Sequence, residues 1–394
     1  MPEIPDFSRS ADFAGQVGGI DIDDPLMKSF SDLKKELFKN ASRHIRETWR
    51  PGSGMSPPLI LRAASALYEK GLRKDQEKLL ARRKKLPVPV ISIGNLSVGG
   101  TGKTPLTIWM CQFLLEIGYH PAVLTRGYGR KERSPGRVEG SREESLAELF
   151  GDEPVMMSEY LPETPVWVGS DRTASGEAAL AGGDVDILVL DDGFQHLALD
   201  RDLDIVLLDC RNPFGNGLVL PAGPLREPVS HLKRADAFVL THAEGSLAPA
   251  PLLEKLETLF PAIPAFACSH RLQGIRLGGG GPFLPPGDLS GKRAVAFAGI
   301  AAPESFFDDM KKAGIEIVRS FDFPDHHRYT PEDLLQVLQS ASQCGAALIL
   351  TTAKDSMRLP PILRRLFAVA EIGIGFGRDD DNFRRFLRDR IGEE

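Results

Sequence analysis

Residues 91–107, "ISIGNLSVGGTGKTPLT", contain the residue types that bind a nucleoside triphosphate. β-branched residues lead into a glycine-rich segment, and a Lys-Thr pair then opens an apolar periodic stretch. The segment matches the G-x-x-x-x-G-K-[ST] phosphate loop except that Ser97 replaces the first glycine. Glycines let backbone N–H groups turn towards phosphate oxygens, and the N-terminus of the following helix favours negative charge. The predicted nucleotide-binding residues are Ser97, Val98, Gly99, Gly100, Thr101, Gly102, Lys103 and Thr104.

A metal ion is predicted beside this loop. Lys103 would neutralise the β- and γ-phosphate oxygens as a point charge, and Thr104 would bind Mg²⁺. Residues 186–196, "DILVLDDGFQH", form an apolar run that ends in Asp191 and Asp192. Carboxylates at the carboxyl end of a parallel strand face the ligand crevice. The two segments together predict an enzyme or switch that binds ATP or a related nucleotide with Mg²⁺.

Three further segments carry polar groups whose role the pattern alone leaves open. "GDEP", 151–154, places two carboxylates together and is equally typical of a turn or a helix cap. "FPDHHRYT", 323–330, brings a carboxylate beside two histidines, as in a metal site or a capped helix with surface histidines. "LTRGYG", 124–129, offers Arg126 and Tyr128, which bind sugar hydroxyls or phosphate or shape a turn.

Composition limits the class of protein. The chain has 394 residues, long enough for two domains with full cores, and 42% of them are apolar and 26% charged, as in an ordinary globular protein. The net charge of −6 argues against nucleic acid as the main partner. The four cysteines are far apart, which disfavours disulfides and a cysteine-ligated zinc site. No run reaches the roughly 18 apolar residues that span a bilayer. No obligate protein partner is inferred.

Short apolar runs alternate with helical patterns along most of the chain. This alternation predicts an α/β fold in which a parallel sheet is covered by helices on both faces, followed by a smaller α/β unit. The turn-rich stretch 278–292 is read as a connector. The predicted regions are a mobile extension at 1–40, an amphipathic helical region at 41–86, a phosphate-loop domain at 87–260, a linker at 261–290 and a smaller domain at 291–394.

A basic amphipathic helix is predicted within residues 57–85. Its apolar positions recur at helical spacing, and lysines and arginines outnumber acidic residues around them. Such a helix either lies in the interface of an anionic membrane or packs on the core with a solvated basic face. The apolar stripe consists of Ile60, Ala64, Leu67, Tyr68 and Leu72.

With these motifs together, the sequence resembles the tetraacyldisaccharide 4′-kinase family of lipid A biosynthesis. The resemblance covers roughly residues 55–375. The motifs that carry it, in chain order, are "PVPVISIGNLSVGGTGKTP", "TRGYGR", "GDEP", "DDGFQH", "LPAGPLREP", "AFAGIAAPESFF" and "FPDHHRYT".

The resemblance implies that the γ-phosphate of ATP is transferred to the 4′-hydroxyl of an acylated glucosamine disaccharide 1-phosphate, giving lipid IV-A. It implies a peripheral enzyme on the cytoplasmic face of the bacterial inner membrane, attached through the N-terminal helix. It also implies a P-loop NTPase-like sheet and a smaller α/β/α unit joined by a short two-stranded linker. The linker strands are predicted near "AFACSHRLQGI" and "FAVAEIGIGF".

The resemblance also assigns roles to residues. Asp152 takes the place of the family's catalytic carboxylate, and His326 that of its partner. A carboxylate oriented by a histidine can accept the proton of a sugar hydroxyl as the P–O bond forms. Glu153 joins Asp191 and Asp192 in the metal group. The substrate candidates are Arg126, Tyr128, Gln195, His196, Arg226 and Glu227. "TTAKD", 351–355, has no assigned role.

Two alternatives are weighed against this interpretation. A partitioning-type nucleotide-switch ATPase would carry a signature lysine just before the two glycines of the loop, where this chain has Val98. A phosphate-loop kinase of a soluble small molecule would leave the basic amphipathic helix before the first strand unexplained. The lipid-kinase interpretation is consistent both with Val98 in the loop and with the basic amphipathic helix.

Overall fold

The structure, a computed structural model, describes residues 48–49, 56–99, 101–127, 135–138, 149–243, 250–278, 280–300, 302–325 and 327–392. The predicted extension 1–40 lies outside the described residues, as do the site candidates Gly100, Tyr128 and His326.

The chain divides into two compact units. The smaller contains the described part of Met1–Gln76 together with Leu96–Val98 and Asn212–His231. The larger consists of Glu77–Asn95, Gly99–Arg211 and Leu232–Glu394. The domain boundaries given by the sequence stay a prediction.

The larger unit contains an eight-stranded sheet. Its strands are β1 (Val90–Asn95), β2 (Pro121–Thr125), β3 (Gly136–Arg137), β4 (Val166–Val168), β5 (Ile187–Asp191), β6 (Leu203–Asp209), β7 (Ala237–Thr241) and β8 (Ala265–Ala267). The order is β3-β4-β2-β5-β1-β6-β7-β8, and all neighbours are parallel except β3 and β4. The helices that follow its strands are α2 (Lys103–Glu116), α3 (Asp152–Tyr160), α4 (Arg172–Ala181) and α5 (Ala250–Leu259); α1 (Leu59–Ala81) precedes β1.

Both faces of this sheet are covered. Alternate residues of a strand point to opposite faces. Ile91 and Ile93 of β1 accordingly pack in one hydrophobic cluster with residues of α2. Val90 packs in another cluster, together with Ala179 of α4. A strand that is buried on both faces needs apolar residues at every position, which explains the continuous apolar runs in the sequence. The predicted parallel sheet with helices on both faces is confirmed.

A six-stranded sheet forms the rest of the larger unit. Its strands are β9 (Ser269–Leu277), β10 (Phe283–Leu284), β11 (Arg293–Ala298), β12 (Glu316–Asp322), β13 (Leu348–Thr352) and β14 (Ala368–Gly375), in the order β10-β9-β14-β13-β11-β12. Strands β11 to β14 pair in parallel, and β9 is antiparallel to both β14 and β10. Its helices are α6 (Pro303–Lys312), α7 (Pro331–Cys344), α8 (Ala353–Met357), α9 (Pro361–Arg364) and α10 (Asp380–Ile391).

Three segments of the predicted linker belong to sheets. Within 261–290, β8 joins the eight-stranded sheet, whereas β9 and β10 join the six-stranded one. The stretch 278–292, read from its turn residues as a connector, contains β10, which pairs with β9. The antiparallel partners β9 and β14 cover the two segments in which the linker strands were predicted.

Helix α2, which follows the phosphate loop, is anchored by aromatic side chains. The ring centroid of Trp109 lies 5.6 Å from that of Phe113, 4.9 Å from that of Phe376 and 5.4 Å from that of Phe383. Phe383 belongs to α10, and both it and Phe113 are fully buried. Aromatic pairs at these separations contribute beyond the area that they bury, so α2 and α10 stabilise one another.

Candidate active site

The phosphate loop leads directly into α2. Gly102 adopts φ 87°, a left-handed conformation that glycine enters without steric cost, and Lys103 is the first helical residue. Nζ of Lys103 lies 3.3 Å from Oδ1 of Asn95 and 3.6 Å from Oδ1 of Asp192. The lysine ammonium is therefore placed between the carboxyl ends of β1 and β5, as a phosphate-binding lysine requires.

Asp191 is the buried acidic group of the site. Its carboxylate accepts hydrogen bonds from Oγ1 of Thr125 at 3.0 Å and from Oγ1 of Thr107 at 3.3 Å. Burial raises the pKa of Asp191 to about 6, and the nearby charges of Glu153 and Asp192 raise it further, against the opposing charge of Lys103. A cation at this point would relieve the crowding of three carboxylates.

This environment gives the free energy of unfolding a pH dependence. The folded-state pKa of Asp191, about 6, lies above the ordinary value of 3.8. As pH rises from 3.8 to 6, the unfolded chain releases this proton while the folded chain keeps it, so stability falls and then levels off. The Asp191→Asn variant should therefore gain about 2 kcal/mol relative to the parent between pH 4 and pH 7.

Denaturant unfolding at the two pH values, without nucleotide or Mg²⁺, measures this difference. Asp184→Asn, at an exposed aspartate in the loop between α4 and β5, serves as the matched control. An Asp191→Asn variant whose stability tracks that of the parent across this range contradicts the assignment.

The other two acidic residues of the site, Asp152 and Glu153, are the first residues of α3, and their carboxylates contact α8 and the residue that follows it. The Lys354 ammonium contacts the Glu153 carboxylate, and Nε of Arg358 donates to Oδ2 of Asp152 at 2.6 Å. Burial acts to raise the pKa of Glu153, but Lys354 outweighs it, so that pKa is lowered. Glu153 is thus held as a carboxylate, and Arg358 fixes the orientation of Asp152.

The position of Arg358 is itself fixed by hydrogen bonds to α8 and to the residue that follows β11. Its Nη1 donates to Oδ1 of Asp355 at 3.1 Å and to the Gly299 carbonyl at 3.0 Å. Asp355 is fully buried and accepts from Oγ1 of Thr352 at 2.6 Å. Lys354, Asp355 and the preceding strand end form the "TTAKD" segment, to which the sequence analysis assigned no role. The signal present in the sequence is a capping threonine after an apolar strand, three residues before an aspartate.

Arg126, Gln195 and His196, three of the predicted substrate residues, lie in the segments that follow β2 and β5. Nε2 of Gln195 donates to the Asn95 carbonyl at 3.0 Å. Burial lowers the pKa of His196 to about 4, and the positive charges of Arg172, Arg201 and Arg126 lower it as well, against Asp171. His196 is therefore neutral at physiological pH, and Arg126 is exposed within its electrostatic range.

Four predicted site residues belong to the smaller unit. Ser97 pairs with Leu225, and the Val98 N–H donates to the Pro224 carbonyl at 2.9 Å. The Glu227 carboxylate is fully buried, and its Oε2 lies 2.8 Å from Nδ1 of His231 and 2.9 Å from Nε2 of Gln76 in α1. In the same unit, Oη of Tyr68 in α1 donates a hydrogen bond to the Arg226 carbonyl at 2.9 Å. This bond connects α1 to the loop that contains Arg226.

The larger unit offers acidic oxygens that fit Mg²⁺. In the described part of the chain, no group of three or more His, Cys, Asp or Glu side chains is arranged to hold a metal by itself. The predicted cluster of Asp325, His326 and His327 stays a prediction, because His326 lies outside the described residues. Nε2 of His327 lies 2.8 Å from Oδ2 of Asp333. Mg²⁺ is usually held by one or two carboxylates together with substrate phosphates and water, which suits Asp191 and Asp192 beside a phosphate loop.

Comparison with known proteins decides which phosphate-loop family this is. A sequence profile described as Tetraacyldisaccharide-1-P 4′-kinase matches residues 58–392. The chain belongs to the tetraacyldisaccharide 4′-kinase family. It is therefore a kinase that uses ATP and Mg²⁺ in lipid A biosynthesis, and the partitioning-type ATPase is not favoured.

Individual proteins to which the chain is similar support this family assignment. The chain is 45% identical over 357 residues to the tetraacyldisaccharide 4′-kinase of Syntrophobacter fumaroxidans, covering 89% of this chain and 94% of that protein. It is 42% identical to the protein of the same name from Geobacter metallireducens, covering 72% and 82%. The crystal structure of LpxK from Aquifex aeolicus in complex with ATP matches with a TM-score of 0.66 and 31% identity, covering 84% of this chain and 98% of that one.

Proposed function

We propose that the larger unit transfers the γ-phosphate of ATP to the 4′-hydroxyl of tetraacyldisaccharide 1-phosphate with Lys103 on the nucleotide and Asp152 on the hydroxyl. The observation that supports this most is the approach of Lys103 to Asp192 within 3.6 Å at the carboxyl ends of β1 and β5. Asp191 and the paired Asp152 and Glu153 lie at the same edge, so donor and acceptor chemistry share one place.

The transfer is an in-line displacement at phosphorus. A bond forms between the 4′-oxygen and the γ-phosphorus, the bond from that phosphorus to the β,γ-bridging oxygen breaks, and ADP leaves. Asp152 accepts the proton of the hydroxyl as its oxygen attacks. Arg358 orients the Asp152 carboxylate through the 2.6 Å hydrogen bond. His326, the partner expected from the family resemblance, stays a prediction.

Phosphate charge is neutralised by Lys103 and by a metal ion. Lys103 holds β- and γ-phosphate oxygens at the start of α2, where the helix N-terminus also favours negative charge. Thr104, Asp191, Asp192 and Glu153 are the residues that would hold Mg²⁺. Mg²⁺ held by these residues would supply positive charge that offsets the negative charge of the triphosphate and of the departing ADP.

The smaller unit provides the surface for the acylated substrate. No helix in the described part of the chain is long and apolar enough to cross a bilayer. Of the predicted apolar stripe, Tyr68 and Leu72 are partly buried, but Ile60 and Leu67 are exposed by 77% and 72%, because Ser65 occupies the packed face. With Leu59, they form an unpaired apolar surface on a basic helix. We infer that α1 rests on the anionic cytoplasmic face of the inner membrane, where the substrate is anchored.

Replacing Leu59, Ile60 and Leu67 together by serine should reduce binding to vesicles that contain anionic lipid by about tenfold or more, because roughly 0.8 kcal/mol is lost per CH₂ withdrawn from the acyl layer. Vesicle co-sedimentation measures the effect. The matched control replaces the exposed Leu335, Ile362 and Leu366 of the larger unit by serine. Equal loss in both triple variants, or none in the α1 variant, would place the membrane contact elsewhere.

Acceptor choice tests the proposal against a kinase of a soluble molecule. With γ-labelled ATP and Mg²⁺, label should move to detergent-dispersed tetraacyldisaccharide 1-phosphate but not to the deacylated disaccharide at the same concentration. Thin-layer chromatography separates the products. Label on the deacylated sugar alone supports the soluble-substrate alternative.

A further inference from the structure

The helix end that receives the phosphates lacks one backbone donor. The first N–H groups of a helix have no partner within it, and in a phosphate loop they face phosphate oxygens. Pro105, the third residue of α2, has no N–H. A donor from another part of the fold would complete this end of the nucleotide site.

His270 of β9 lies against this helix end. A Cβ atom placed on Gly102 would lie 2.6 Å from Nε2 of His270 and 2.9 Å from its Cε1. The absence of a side chain at Gly102 is therefore what lets the imidazole approach the loop backbone. A ring nitrogen that occupies the place of a Gly102 side chain is close enough to the loop to reach a phosphate that the loop would hold.

The strand order shows on which side of the loop this imidazole lies. In the eight-stranded sheet, β5 is on one side of β1, while β6 and β7 are on the other. Asp191 is the last residue of β5 and Asp192 follows it, at the place proposed above for the reacting end of the triphosphate. His242 follows β7, and its ring centroid lies 4.6 Å from that of His270. His270 is therefore on the side of the loop away from Asp191 and Asp192. A nucleotide whose γ-phosphate faced those two carboxylates would have its nucleoside-side phosphates near His270.

The His270 ring is supported by His242 and Asp209. Nδ1 of His242 lies 3.3 Å from Oδ1 of Asp209, whose other oxygen accepts from Nη2 of Arg211 at 2.8 Å. His242 adopts φ 56°, a left-handed conformation that a residue with a side chain rarely enters. Thr241 is fully buried beside Gly102, and its hydroxyl has no hydrogen-bond partner among the described residues. A strained histidine next to an unpaired hydroxyl is more typical of a ligand site than of a packed core.

We propose that His270 donates a hydrogen bond from Nε2 to the nucleoside-side phosphates of ATP, in place of the N–H that Pro105 lacks, and that His242 and Asp209 position its ring. The proposal rests on the nucleotide site proposed above, but not on the identity of the acceptor.

Nucleotide binding without acceptor tests this role. The paired variants are His270→Gln, which keeps a side-chain N–H, and His270→Leu, which fills the same space without a donor. By calorimetric titration, His270→Leu should weaken binding of ATP and of ADP by the same factor, about tenfold. His270→Gln should stay within about threefold of the parent. His120→Ala, at an exposed histidine before β2, is the control.

Steady-state kinetics separate a nucleotide contact from a structural role. In His270→Leu, KM for ATP should rise while KM for the lipid acceptor stays unchanged. Unchanged affinity for both nucleotides, or equal weakening by the glutamine and leucine variants, overturns the proposal. A loss confined to ATP also overturns it, because the imidazole would then contact the γ-phosphate. If the nucleotide affinities change as expected but the lipid is not phosphorylated, the role of His270 stands and only the proposed acceptor is wrong.

Discussion

Lys103→Ala should lower kcat/KM by about 10³-fold or more while the chain stays folded. The lysine is the cation at the start of α2, 3.6 Å from Asp192, and removing one charge that stabilises a phosphoryl-transfer transition state has effects of this size. Its loss also removes the positive charge that opposes the carboxylates of Asp191 and Asp192. Because Lys103 acts to lower the pKa of Asp191, that pKa should rise further in the variant.

Lys84→Ala is the matched control for this substitution. Lys84 is an exposed lysine that pairs with Glu177 away from the strand ends, so its loss should leave turnover unchanged. Steady-state kinetics and circular dichroism on both variants give the comparison. A folded Lys103→Ala variant with normal turnover would remove the phosphate-loop assignment.

Asp152→Asn should lower kcat by about 10² to 10⁴-fold with little change in ATP affinity, because an amide cannot accept the proton of the hydroxyl. Asparagine keeps the shape of the side chain and can still accept a hydrogen bond from Arg358, so the start of α3 should remain in place. Single-turnover transfer and nucleotide titration, done on the same preparation, separate the chemical step from binding.

Glu159→Gln is the control for Asp152→Asn. It makes the same change from carboxylate to amide on the same helix, at an exposed residue that pairs with Arg364. Its kcat should equal that of the parent. If Asp152→Asn instead weakens ATP binding and leaves single-turnover transfer intact, Asp152 acts on the nucleotide and the base is another group.

The sequence was sufficient for the elements with strong local patterns. Strands such as β1 and β5 are continuous apolar runs because they are buried on both faces, and each ends in a polar residue at the ligand edge. Since carboxyl ends of parallel strands share one edge, the approach of Lys103 to Asp192 follows from the two motifs and the fold class. The basic helix was also recognisable, as α1.

What the sequence could not reveal are contacts between residues distant in the chain. The pairing of Arg358 with Asp152 joins positions 206 residues apart and depends on where α8 packs. No local pattern in "TTAKD" shows that its lysine meets Glu153. Likewise, Ile60 is exposed because another face of α1 packs on the protein. Helical spacing shows that an apolar stripe exists, but not whether the stripe faces the core or the outside.

The measurement that tests the central claim most directly is the position of the new phosphate. The parent chain, ATP and Mg²⁺ are incubated with tetraacyldisaccharide 1-phosphate, and the lipid product is analysed by ³¹P NMR and mass spectrometry. We expect one added phosphate per molecule, located at the 4′-oxygen, together with one equivalent of ADP. ADP and inorganic phosphate without modified lipid, or a phosphate on any other hydroxyl, would contradict this account.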